Sequence, residues 1–148
     1  MSCSTDLRSF TPSLSVKTPC RARHDIDLNV VGDLDVAVVG VGRNDHVGFN
    51  GPGAHVNERT HVVDLAASTL ETNFAGQPRL MRPTRAITLG LRDLIESRSV
   101  LMLVLGSTEA SVLATLRDGV IDPLIPASAL LDHQEFTIIA DNEALTDV

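Results

Sequence analysis

The sequence predicts an α/β domain with a parallel sheet flanked by helices, and three observations carry that prediction. Apolar runs without polar alternation recur along the chain: "DVAVVG" (35–40), "RAITLG" (85–90), "SVLMLVLG" (99–106) and "EFTIIAD" (135–141). Runs of this texture suit strands buried on both faces, as in a parallel sheet between helices. Segments of helical period lie between them, and strands alternating with helices imply parallel pairing. Three of the runs end in glycine, at Gly40, Gly90 and Gly106. In such sheets ligands bind beyond the carboxyl ends of the strands, so the loops at that edge are the place to look for chemistry.

In chain order, residues 1–19 are rich in Ser, Thr and Pro and show no period, which predicts a poorly ordered leader. Ile26, Leu28, Val30 and Val31 could form a short helix ended by Gly32. The first apolar run follows. Arg59-Thr60-His61 reads as a solvated strand start. After the second run, Leu91, Leu94 and Ile95 share one helical face. After the third, Ser107 and Thr108 offer a cap for a helix whose inner face is Ala110, Leu113 and Leu116. "PASALLDH" (126–133) reads as a short helix with Pro near its start, closed by His133 in a structural role.

Composition bounds the function. A chain of 148 residues suits one domain, and 43 % hydrophobic with 21 % charged residues reads as globular. The net charge of −7, with no run of Lys and Arg, argues against nucleic acid or an anionic membrane as partner. No apolar run reaches the ~18 residues of a transmembrane helix, and the N-terminus lacks the apolar core of a secretory signal. Cys3 and Cys20 form no CxxC and no metal spacing, so a reduced, cytoplasmic setting is expected. The absence of Trp and Tyr weakens any case for base stacking.

The stretch that asks for a function is "VAVVGVGRNDHVGFNGPG" (36–53), a strand running into two glycine loops with a histidine between them. It begins like a dinucleotide fingerprint, but Asp45 stands where the third glycine belongs, and the loop runs into another turn rather than a helix. His46 has two readings: a loop histidine bonded to backbone, or a general acid/base. Asn44 could orient a ligand hydroxyl, and Gly48 and Gly51 permit close backbone approach. His24, His55, His61 and His133 share no ligand spacing, so no metal site is expected.

Four blocks in order, "GVGRNDHVGFNGPG", "ERTHVVDLAASTLETN", "PTRAITLGLRDLIESRSVLMLVLGS" and "PASALLDH…TIIAD", resemble the glucosamine-6-phosphate deaminase/isomerase family in its non-allosteric branch. The resemblance covers residues 20 to 143. It implies a partial Rossmann-like parallel sheet flanked by helices, lacking the family's N-terminal strands. Residues 20–148 would be the C-terminal part of the family domain, and 1–19 an unrelated leader. The implied reaction takes glucosamine 6-phosphate and water to fructose 6-phosphate and ammonia, in amino-sugar catabolism, without metal or nicotinamide. By resemblance His46 moves a proton to or from the ring oxygen, Asn44 keeps the family residue, and Gly40, Gly42 and Gly51 lie on the substrate loop.

The departures lead to a further expectation. The family's Glu after Phe-Asn, which supports the histidine, is Gly51 here. The glycine before the histidine is Asp45, which could supply a substitute carboxylate. The phosphate-binding lysine is replaced by Glu109, and the phosphate-contacting arginine by Ala75. The Gly-Gly-Ser/Thr phosphate loop and proton-shuttling Asp of the family's N-terminal half do not occur before residue 20. The resemblance therefore implies an impaired deaminase whose hold on a sugar phosphate is weakened or lost. The alternative is a non-catalytic sugar-phosphate-binding or assembly module. Half of a doubly wound sheet would leave an edge and apolar surface bare, so marginal stability or homo-oligomer formation is expected.

Overall fold

A computed structural model describes residues 34–42 and 45–146. The leader, the short helix expected over 26–31, the start of the domain at residue 20, and Arg43 and Asn44 lie outside the described residues.

Five strands are described: β1 (Val36–Gly40), β2 (His61–Asp64), β3 (Arg85–Thr88), β4 (Ser99–Val104) and β5 (Phe136–Ala140). Strands β1, β4 and β5 form a parallel sheet in the order β1-β4-β5, with Ala37 opposite Val100 and Met102 opposite Ile138. Three α-helices accompany them: α1 (Ala67–Asn73), α2 (Leu91–Ile95) and α3 (Ala110–Arg117). The expected class, a parallel sheet flanked by helices, is the one observed.

One strand is placed differently. "RAITLG" does form a strand, but β3 pairs antiparallel with β2, His61 opposite Thr88, in a ribbon separate from the parallel sheet. An apolar run marks a strand; it carries no information about the direction of its partner. The expected solvated start at 59–61 is also corrected. Thr60 and His61 are buried, and only Arg59 of the three is exposed.

Nor is the parallel sheet buried on both faces. Its strands alternate. Ala37, Val100, Met102 and Val104 turn inward to a core completed by Leu91 and Leu94 of α2, Val112, Leu113 and Leu116 of α3, and Ala127 and Leu130. Each fully buried Leu or Val contributes roughly 1.5–3 kcal/mol. The opposite face carries Val36 and Val38 of β1, 57 % and 61 % exposed, and Ile139 of β5, 49 % exposed. The inner faces of α2 and α3 are those the period predicts. The expected cap is absent: 107–109 is a 3-10 turn without a side-chain cap bond, and α3 starts at Ala110. "PASALLD" winds as a 3-10 run with Pro126 at its first position.

His133 ends that run in a structural role. Its Nδ1 accepts from the Glu135 amide at 3.0 Å. The other ring nitrogen, Nε2, must then carry the hydrogen that it donates to the Ser97 carbonyl at 2.7 Å. The ring is thus a buried clasp between the end of α2 and the start of β5.

Candidate active site

Three walls enclose the candidate site, and each is fixed by backbone as much as by side chains. The first is the loop after β1. Gly42 and His46 are joined through the Gly42 amide and the His46 carbonyl, 3.1 Å apart, and the Asp45 amide donates to the Gly42 carbonyl at 3.0 Å. The turn is so tight that a Cβ on residue 42 would overlap the imidazole of His46. The second glycine of "GVG" is therefore the floor on which the ring lies. Asp45 completes the turn with φ 61°, the left-handed region that favours glycine. Burial pushes the Asp45 carboxyl above the ordinary carboxylate range, and the neighbouring His46 opposes that shift.

Beyond His46 the chain reverses on itself through mutual backbone bonds between Val47 and Asn50. Asn50 ties this turn to the end of the β3 segment. Its amide nitrogen donates to the Val47 carbonyl at 2.9 Å and to the Leu89 carbonyl at 2.8 Å.

The second wall is the segment from Glu58 to Asp64, held from behind by the start of α2. The buried carboxylate of Asp93 accepts from Thr60 Oγ1 at 2.8 Å, from the Gly90 amide at 3.3 Å and from Arg59 at 3.2 Å. Arg59 also bonds Glu96, which Arg92 reaches at 2.6 Å. Burial raises the Glu96 carboxyl, but the hydrogen bonds from Arg92 and Arg59 outweigh it and hold the group below its ordinary value.

This scaffold sets His61. Its Nδ1 lies 2.7 Å from the Arg59 carbonyl, and a carbonyl only accepts, so Nδ1 carries the hydrogen. The other nitrogen, Nε2, is 3.6 Å from the Glu58 carboxylate. The third wall is the N-terminal part of α1, with Ser68 and Thr69.

Between these walls lies a cavity of about 320 Å³, lined by His46, Asn50, Gly51, Glu58, His61 and Asp64 among others. A smaller depression of about 110 Å³, lined by Gly42, His46, Ser68, Thr69, Thr72 and Asn73, adjoins it. His46 borders both. An imidazole shared by two neighbouring hollows can exchange a proton with a ligand occupying either.

Of the sequence-predicted residues, His46, Gly42 and Gly51 reach these hollows. Gly40 is the last residue of β1 and lines neither; Asp45 lines neither; Asn44 lies outside the described residues. Glu58, Asp64, Ser68 and Thr69 drew no site reading from the sequence, and His61 reads there only as the end of a solvated strand start without metal-ligand spacing. Glu58 and His61 stand three apart, a spacing that becomes informative only once the segment leading into β2 is placed opposite the histidine loop. Glu109 is buried beside Thr108 after β4, and it and Ala75 are absent from the cavity wall. Among the described residues, none that lines the two hollows is Lys or Arg. Among the described residues, no group of three or more His, Cys, Asp or Glu is arranged to hold a metal ion. No helix among them is long and apolar enough to cross a membrane.

No protein-family profile matches the chain. It is 38 % identical over 132 residues to a glucosamine-6-phosphate deaminase of Geobacillus sp. (strain WCH70), covering 88 % of this chain and 52 % of that protein. It is 37 % identical over 141 residues to the glucosamine-6-phosphate deaminase of Streptococcus pneumoniae serotype 4, covering 93 % and 60 %. A solved monomeric glucosamine-6-phosphate deaminase of the NagB superfamily superposes with a TM-score of 0.82 at 33 % identity, over 91 % of this chain and 56 % of that one. The 6-phosphogluconolactonase of Trypanosoma brucei, at TM-score 0.67 and 16 % identity, shares the fold. The chain spans a little over half the length of the relatives it matches.

Proposed function

The chain belongs, over the residues it shares with them, to the glucosamine-6-phosphate deaminase family, and from that premise we propose that it carries the ring-opening part of an amino-sugar deaminase site with impaired turnover. The observation that supports this reading is the placing of His46. Its imidazole lies against Gly42 and borders two adjoining hollows that a ring-form sugar could span. Ring opening of a hemiacetal needs one proton delivered to the ring oxygen and one removed from the anomeric hydroxyl. A single imidazole beside both atoms can do each in turn.

Impairment follows from what the wall lacks. Gly51 lines the cavity but has no side chain to support an imidazolium at residue 46. Asp45 is adjacent in sequence but stays off the cavity wall. Among the described residues on the wall, none is a Lys or Arg that would anchor a phosphate. The full reaction, glucosamine 6-phosphate and water to fructose 6-phosphate and ammonia, therefore proceeds slowly if this chain acts alone. Its setting in this reading is cytoplasmic, with Cys3 and Cys20 kept reduced.

The test is ammonia release from glucosamine 6-phosphate by the full chain and by His46→Ala. Slow release that disappears in the variant supports the reading; release that is indifferent to His46 overturns it. A second reading, a non-catalytic binding or assembly module, is favoured by the apolar face around Val36, Val38 and Ile139. Absence of any ammonia release together with dimerisation in light scattering would select it.

A further inference from the structure

We propose that His61, backed by Glu58, is the second proton-transfer group of the cavity, taking the proton of a sugar's anomeric hydroxyl while His46 serves the ring oxygen. This deepens the ring-opening reading of the same site and rests on it.

His61 and His133 are both buried, yet their ring nitrogens are used differently. Both nitrogens of His133 bond backbone groups. Among the described residues only one nitrogen of His61 does so: Nδ1 donates its hydrogen to the Arg59 carbonyl at 2.7 Å. In the neutral ring Nε2 is therefore a lone-pair acceptor. It stands 3.6 Å from the Glu58 carboxylate, and both residues line the cavity. Two groups that only accept face each other there, and a proton taken up by Nε2 turns that mismatch into an ion contact. The neighbouring charges point elsewhere. Asp64, also on the wall, lies 3.8 Å from Arg85, and the Arg59 guanidinium is engaged by Asp93 and Glu96.

The ring is also held in place before any ligand arrives. His61 pairs with Thr88 across β2 and β3, and its neighbour Thr60 is tied to the buried Asp93 at 2.8 Å. A group fixed in this way needs little ordering when a substrate enters.

Ring opening moves two protons at neighbouring atoms. The anomeric hydroxyl gives its proton to the lone pair of His61 Nε2, and the O–H electron pair becomes the second bond of the aldehyde carbonyl. The bond from C1 to the ring oxygen breaks, and that oxygen takes a proton from the His46 imidazolium. His61 ends as an imidazolium beside Glu58, and His46 as a neutral ring. Gly51 has no carboxylate to offer His46; the carboxylate that offsets the transferred charge stands on the opposite wall. The step involves only C1 and the ring oxygen, so it suits an amino-sugar phosphate in its ring form.

The experiment follows interconversion of the α and β anomers of glucosamine 6-phosphate by NMR exchange, which reports ring opening whether or not ammonia is released. The full chain is expected to accelerate it, and His46→Ala to remove most of the acceleration. His61→Gln should lower the maximal rate about 100-fold, the usual share of one general acid or base, with the half-saturating concentration unchanged. Glu58→Gln, at a half-buried position, should lower that rate about tenfold, the worth of one ion contact, and it decides the matter where His61→Gln does not fold. Parental rates in Glu58→Gln or in folded His61→Gln overturn the proposal, and a loss confined to His46→Ala leaves the ring-opening reading standing. A rate loss matched by an equal loss of affinity makes the pair part of the wall alone and overturns the proposal as well. A full chain that does not accelerate the interconversion overturns both.

Discussion

Gly90 and Glu58 meet backbone to backbone: a Cβ on residue 90 would overlap the Glu58 carbonyl oxygen, which accepts from the Arg92 amide at 3.1 Å. The contact brings the N-terminus of α2 against the segment that carries Glu58 and His61. It is made of main chain on both sides, so no side chain can yield to relieve a clash. Gly90→Ala is therefore expected to destabilise the fold by about 3 kcal/mol, the upper range for an overpacked position. It should also weaken any ligand that touches Glu58. Thermal melts by circular dichroism measure the first effect, and an unchanged melting temperature would show that the two segments are not in contact.

The same pair marks what could and could not be read in the sequence. All four apolar runs became strands, because runs rich in β-branched and aliphatic residues favour the extended chain, but the burial on both faces implied by the unbroken texture was not met, as Val36 and Val38 show. The partner of β3 was not legible, since pairing direction is decided by tertiary contacts such as Arg59 and Thr60 converging on Asp93, more than thirty residues away in the chain. The histidine loop was legible because tight turns restrict residue choice, and Gly42 under His46 is one such position. The opposing wall was not, because Glu58 and His61 owe their place to buried hydrogen bonds that leave no local pattern. The cap expected from Ser107 and Thr108 failed for a local reason: a 3-10 turn occupies 107–109 and delays α3 to Ala110.

His133 is the clearest case of a histidine with a purely structural task. Replacing it by Ala leaves the Ser97 carbonyl and the Glu135 amide without their side-chain partner. A loss of about 1–3 kcal/mol is expected, chiefly from the buried Ser97 carbonyl left unmatched, with the part-buried Glu135 amide adding less. His55→Ala, at an exposed position, should change stability by less than about 0.5 kcal/mol. Denaturant unfolding of the two variants beside the parent separates them, and equal midpoints would contradict the clasp.

Asp45 holds a left-handed backbone without being glycine. Asp45→Gly relieves that strain at some expense in chain entropy, for an expected gain of about 0.5–1 kcal/mol. Because Asp45 lines neither hollow, ligand affinity should be unchanged. A variant that is more stable yet loses binding or ammonia release would instead make Asp45 the substitute carboxylate for residue 51.

Asp141 predicts a response to acid. Its carboxylate accepts from the amides of Ala144 and Gly106, and these bonds hold its pKa below the ordinary 3.8. A group depressed in the folded state adds stability above its unfolded pKa and loses it as pH falls through the folded one. Parent and Asp141→Asn should therefore differ most at neutral pH and converge below about pH 4. Melting temperatures across that range give the comparison, and a gap that widened on acidification would reverse the sign of the argument.

The bare sheet face offers the last test. Val36 and Val38 are adjacent on the outer side of β1 and more than half exposed, with Ile139 of β5 on the same side of the sheet. Strand β1 is also an end strand of the sheet among the described residues, and an end strand offers its edge to a partner chain alongside that apolar surface. Apolar area of this kind is removed from water most simply by a second copy of the chain. Light scattering is expected to show a mass that rises with protein concentration. Lysine at both positions, Val36→Lys with Val38→Lys, should return the chain to a constant monomer mass. Neither side chain belongs to the inner core, so the melting transition of the double variant, measured at low concentration, should shift little. A parent chain that stays monomeric at every concentration would mean that this surface is tolerated in water. A double variant that fails to fold would mean that the face is covered within the chain itself.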